Sequence, residues 1–246
     1  MIRAIILSLT IMLPLASARA AAAIQDEGDA PRYLDAKLVP AEGRAASDFV
    51  PRGWKLEGDG GELTGDLNRD GAPDKVLRLV EDIPVERPDG VYNTRYRALV
   101  VLLARAGGGF RRAAVATRLL GCTLCAGAMG DPEGRNITVR MTGDMLRVSQ
   151  LSGARVATDL TQNFLYDAAS GRFLYVSRYL EERDRVEASS DIVITNYVTG
   201  RRVSSKIRVK KPGAAPIESN RTTRVRPARL FIEDVDYEKS FGDEEQ

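Results

Sequence analysis

The sequence predicts an all-β fold: antiparallel hairpins meandering through one domain, sandwich-like or partial-propeller-like, with an oxygen-rich turn inside one hairpin. Three observations predict it. Short stretches that alternate polar and apolar residues recur along most of the chain, Gly, Asn, Asp and Pro interrupt them often, and no segment carries the period of an amphipathic helix. The chain has 246 residues and is 43% apolar, enough for a substantial core.

The N-terminus reads as an export leader over residues 1–20. Met1-Ile2-Arg3 is a short positive start, Ala4 to Leu15 is apolar, and Ala16-Ser17-Ala18 and Ala18-Arg19-Ala20 are small-residue cleavage patterns. The apolar run is too short for a permanent span, and no second one follows, so no transmembrane anchor is expected after cleavage. A periplasmic or secreted bacterial protein is the expectation. Residues 21–45 are Ala-rich and aperiodic and read as a flexible entry segment. Order is expected from Asp48-Phe49-Val50-Pro51 and the single Trp54 onward, so the domain is drawn as 46–209.

The stretch Asp66-Leu67-Asn68-Arg69-Asp70-Gly71-Ala72-Pro73-Asp74 has the form D-x-N-x-D-G-x-x-D. Asp66, Asn68 and Asp70 alternate, so their oxygens can fall on one side of a curling backbone. Gly71 permits the sharp turn, Ala72 can offer its carbonyl, and Asp74 closes the set. Hard divalent cations require such convergence of charged oxygens, and calcium is the expected ion. Three nearby carboxylates repel one another without a cation. An EF-hand is not expected, because its twelfth position falls on Leu77, and Val76 to Val80 reads as a strand. The plain alternative is a solvated Asp/Asn/Gly turn.

Residues 82–94 read as a loop. Ala98-Leu99-Val100-Val101-Leu102-Leu103 reads as a strand buried on both faces, Gly107-Gly108-Gly109 as a turn and Phe110 to Leu120 as the returning strand. Further strands are expected over Asn136–Met141, Met145–Leu151, Val156–Tyr166, Arg172–Tyr179, Ser190–Tyr197 and Arg202–Val209. Residues 210–246 read as a linker and charged tail, with Leu230-Phe231-Ile232 as a candidate last strand. Residues 201–229 are basic and 233–246 acidic, which reads as a solvated or self-pairing end.

Several of these pieces together resemble a known group. Phe49-Val50-Pro51-x-Gly53-Trp54, the Asp66–Asp74 motif, Ala98–Leu103 before Gly107-Gly108-Gly109-Phe110, Gly121-Cys122-x-x-Cys125, Asn163-Phe164-x-Tyr166 and Asn196-Tyr197-x-Thr199-Gly200 resemble uncharacterised bacterial exported proteins with an FG-GAP/VCBS-type calcium repeat. The resemblance covers about residues 48–209. It implies a loop in a β-hairpin binding calcium through Asp66, Asn68, Asp70, the Ala72 carbonyl and Asp74, and it implies no enzymatic activity. The motif occurs once, whereas a propeller needs several blades, so a smaller β assembly is expected.

Function classes narrow by exclusion. The chain contains no His, which removes Ser-His, Cys-His and His-zinc mechanisms. Formal net charge is +2, and loss of Arg3 and Arg19 with the leader brings it near zero, so overall charge gives no case for nucleic acid. Cys122 and Cys125 could close a local disulfide, remain buried thiols or act in redox chemistry. Glu181-Glu182-Arg183-Asp184-Arg185 offers carboxylates for a cell-wall- or carbohydrate-active hydrolase, or a solvated loop of mixed charge. Tyr166, Tyr175, Tyr179 and Tyr197 could line a sugar-binding face or serve as ordinary strand aromatics. A calcium-binding module whose partner is an envelope protein or polysaccharide is the leading expectation.

Overall fold

The computed structural model describes residues 32–209 and 215–241. The leader expected over 1–20 lies outside the described residues. Strands take 48% of the chain and form two antiparallel sheets, one of them curled into a half-barrel. No α-helix occurs among the described residues; short 3₁₀ turns connect the strands.

The first sheet is built on three long strands, β4 (Asp74–Glu81), β5 (Arg97–Ala104) and β6 (Phe110–Ala116). The two-residue β1 (Glu42–Gly43) flanks β6, while β2 (Trp54–Leu56) and β3 (Glu62–Gly65) share the other edge of β4. The second sheet is a seven-stranded meander in chain order: β7 (Ile137–Thr142), β8 (Met145–Gly153), β9 (Val156–Asp167), β10 (Arg172–Asp184), β11 (Ser189–Asn196), β12 (Arg201–Arg208) and β13 (Ile217–Arg224).

Alternation fixes what each face does. In β5, Leu99, Val101 and Leu103 enter a core shared with Val139, Leu146, Val148 and Phe164 of the second sheet. Ala98, Val100 and Leu102 point the opposite way, to Leu34, Val39 and Phe49. The strand expected to be buried on both faces is so buried, and the sandwich-like arrangement follows from the shared core.

Both outer limits drawn from the sequence need correction. Residues 32–45 are not a flexible entry: Leu34 and Val39 are 3% and 1% exposed, and Arg112 donates to the carbonyls of Ala36 and Val39. The exposed outer face of β4 and β5 needed an apolar cover, and this segment supplies it. Residues 215–241 are likewise structured. β13 pairs with β12 along its length, Ile232 and Val235 enter the shared core, and Tyr237 packs on Leu160 and Leu180. Leu230-Phe231-Ile232 makes a single bridge, Phe231 to Leu174, before a 3₁₀ turn. Glu181–Asp184 are not a loop but the end of β10.

The crossover between the sheets, residues 117–136, is held by arginines. Arg97, 1% exposed, donates from Nε to Glu57 Oε1 at 2.7 Å and from its Nη atoms to the carbonyls of Gly121 and Asp131. Arg78 donates to the Ile137 carbonyl at 2.7 Å and lies 3.0 Å from Glu57 Oε2 through Nε, an ion pair outside hydrogen-bond alignment. Arg95 donates to the Pro132 carbonyl. Asp131 in turn accepts the amides of Arg135 and Asn136. Removing one partner of such a buried pair strands the other charge and costs roughly 3–5 kcal/mol. Arg97→Ala should therefore lower the unfolding free energy in urea by that order. A loss below about 1 kcal/mol, the level of an exposed ion pair, would show that the cluster does not hold the crossover.

Candidate metal centre

Residues 66–73 connect β3 to β4, so the oxygen-rich motif does sit in a hairpin. The backbone turns back through Arg69 (φ 61°) and Gly71 (φ 84°), the latter in the region that glycine enters freely. Asp66 is half-buried and accepts the amides of Asp70 through Oδ1 at 3.2 Å and Gly71 through Oδ2 at 3.0 Å. Asn68 Oδ1 shares the Asp70 amide at 3.0 Å, and Asn68 Nδ2 donates to Asp70 Oδ2 at 2.8 Å. Asp70 Oδ1 accepts the Ala72 amide at 2.8 Å. The Ala72 amide, then the Asn68 side chain, hold the Asp70 carboxyl below its ordinary pKa. Asp66 and Asn68 thus share one backbone N–H, and the Asn68 side chain ties the Asp70 carboxyl to them.

Asp74 stands apart from that group. It is fully buried, and its oxygens accept the Leu67 amide at 2.8 Å and the Ala104 amide at 2.9 Å, tying the loop to the end of β5. Burial raises its pKa against these hydrogen bonds, and the charges of Asp70 and Asp66 push the same way. Among the described residues no three His, Cys, Asp or Glu side chains are grouped as a metal ion would need. The motif's remaining oxygens are the Asn68 amide and the Ala72 carbonyl.

Beside the loop opens a cleft of about 420 Å³, with Thr64, Asp66 and Arg69 on one side and Met141 and Asp144 on the other. The strands pass so closely here that a Cβ on Gly65 would stand 2.8 Å from Met141 Sδ. Arg69 crosses the gap to Asp144 at 2.8 Å, lowering the Asp144 pKa. The loop therefore touches the β7–β8 turn of the second sheet through one exposed ion pair.

Cys122 and Cys125 form a disulfide, with Cys122 buried and Cys125 exposed. Only the 3₁₀ turn Gly127–Met129 follows, so no helix N-terminus is present to lower a thiol pKa. The Thr123 hydroxyl and amide bond to the backbone of Arg95, fixing the turn to β5.

Glu181 and Glu182 are adjacent in a strand and so point to opposite faces. The carboxylate opposite Glu181 is Asp159 of β9, which the sequence reading did not single out. Glu181 accepts from Tyr179 at 2.8 Å, Ser190 at 2.7 Å and Arg183 at 2.8 and 3.1 Å. Arg183 first, then Ser190 and Tyr179, hold its pKa down to about 2 against burial, whereas burial and the Glu181 charge raise that of Asp159. Of the tyrosines, Tyr175 and Tyr197 pack in the core 4.6 Å apart, Tyr166 lies at its edge, and Tyr179 serves Glu181.

Comparison with family models, with curated proteins and with solved structures finds no match for this chain.

Two outcomes follow from these contacts. Asp74→Ala leaves the Leu67 and Ala104 amides without their acceptor, which should cost roughly 2–6 kcal/mol at about 1–3 kcal/mol per orphaned group. The loss should be equal with and without added calcium, and a loss seen only in calcium would reassign Asp74 as a ligand. For Glu181 the folded pKa lies below its ordinary 4.5, so its stabilisation is present above pH 4.5 and fades as pH falls toward 2. The stability gap between wild type and Glu181→Gln should narrow over that window in urea titrations. A gap independent of pH would contradict the assigned contacts.

Proposed function

We propose that the chain is an exported, calcium-braced β module of the cell envelope. In this reading Asp66, Asn68, Asp70 and the Ala72 carbonyl hold the ion, and Asp74 anchors their loop to β5. The observation that carries the reading is the sharing of the Asp70 amide by Asp66 and Asn68. Together with the Asn68–Asp70 side-chain bond it holds three oxygen-bearing side chains near one another before any ion arrives, and pre-organisation lowers the ordering cost of binding. A bound divalent cation supplies positive charge where Asp66 and Asp70 lie close. The chain's own residues do the rest: Gly71 allows the turn, Asp74 fixes both loop ends, and Arg69 relays loop position to Asp144 across the cleft. The role is geometric, setting the loop and the cleft beside it for a partner.

The hydrolase alternative would rest on Asp159 and Glu181. Glu181 already receives three side chains, which makes it a poor nucleophile and a good brace between β10 and β11. The thiol–disulfide alternative has the Cys122–Cys125 bond behind it but no group that activates a thiolate.

Thermal melts with calcium and with EDTA test the reading. At a hundredfold excess over Kd, binding adds about 2.7 kcal/mol, or roughly 5–10 °C for a chain of this size. Asp66→Ala should abolish that difference. Identical melting curves in calcium and EDTA would remove the basis for the proposal.

A further inference from the structure

We propose that the ribbon of β12 and β13 binds an anionic polysaccharide along the free edge of the second sheet. Among the described residues β13 is the last strand of that sheet and pairs only with β12, so the amides and carbonyls on its other side face outward. Seven of its eight residues are exposed. Arg201 of β12 stands directly opposite Arg224 of β13, both exposed, and like charges so placed destabilise a sheet. Arg221 projects from the other face, and Arg226 follows just beyond the strand. Among the described residues, no acidic side chain forms an ion pair with Arg201, Arg221, Arg224 or Arg226. The one acid of β13, Glu218, accepts from Asn220. The near-neutral charge of the whole chain hides this local concentration.

Edge strands commonly carry charge to block pairing with other chains. That account covers Arg221 and Arg224 but not Arg201, which lies on an inner strand and adds repulsion without guarding the edge. A polyanion relieves the Arg201–Arg224 repulsion, and Arg221 offers it a further positive group on the other face. The ribbon carries no aromatic side chain on which bases could stack, which disfavours single-stranded nucleic acid. Its exposed face is mostly hydroxyl, amide and guanidinium, which disfavours insertion into a bilayer. Ser205, Asn220 and Thr222, interleaved with Arg201 and Arg224 on one face, match the hydroxyls and carboxylates of an acidic glycan. The choice of an envelope glycan also rests on the export reading, but the ribbon's charge does not depend on the calcium loop.

The full chain should be tested for binding to alginate, a uronic-acid polysaccharide, at low salt and in EDTA so that calcium plays no part. Neutral dextran, duplex DNA and vesicles containing phosphatidylglycerol are the comparison probes. Wild type should bind alginate and not dextran, with affinity falling as salt rises. The triple variant Arg201→Gln/Arg221→Gln/Arg224→Gln should bind about tenfold more weakly. Arg201→Gln alone should weaken binding without lowering the melting temperature, because it relieves a like-charge pair. Absence of alginate binding, equal binding by the triple variant, or tighter binding to DNA or vesicles would overturn the proposal. Because EDTA is present throughout, failure here leaves the calcium reading untouched, and loss of calcium binding leaves this one untouched.

Discussion

The buried carboxylate of Glu57 between Arg97 and Arg78 is the interaction on which the arrangement of the two sheets depends. Glu57 follows β2, while Arg78 and Arg97 come from the neighbouring strands β4 and β5. With Asp131, Glu57 offsets the charges of Arg78 and Arg97 within a desolvated space, while the third buried arginine, Arg95, is held by the Pro132 carbonyl. That balance makes the cluster tolerable, since isolated buried ions would be far more costly. Its spare donors then reach the backbone of the crossover. The seven-stranded sheet begins at Ile137, whose carbonyl is itself held by Arg78, so the second sheet starts from a point fixed by the first.

Local features were legible in the sequence, and distant ones were not. Most strands between Asp74 and Arg208 follow from alternation and from turn residues that lie within a few positions of each other, although β6 stops at Ala116 rather than Leu120 and β10 runs on to Asp184. The loop's place in a hairpin was legible for the same reason. Asp74 was assigned to the ion because spacing shows it beside Asp70, but its partner Ala104 lies thirty residues away and only the fold brings it near. Residues 32–45 lack period because they wrap a face as an irregular cover rather than a long strand, yet Leu34 and Val39 were available as apolar anchors. Arg97 carried a signal that was passed over: it sits in phase with Leu99, Val101 and Leu103, which places it on the inner face.

The candidate site shows the same division. Asp66, Asn68 and Asp70 come together because each is two residues from the next. Asp159 and Glu181 come together because β9 and β10 are in register across a distance that no local pattern reveals. The loop and the ribbon lie on features of different origin, one a turn closed by its own side chains, the other an edge left open by the end of a meander.

The arginines that secure the crossover grip main-chain oxygens of Gly121, Asp131, Pro132 and Ile137 rather than the side chains of most of those residues. A carbonyl is present whatever residue occupies the position. The exposed Leu124 and Ala128 of this segment are therefore free to drift in composition while its path stays put, whereas Cys125 is tied by the disulfide and Ala126 is buried. Two related chains could display quite different faces there on an unchanged frame, provided the guanidinium groups beneath were kept.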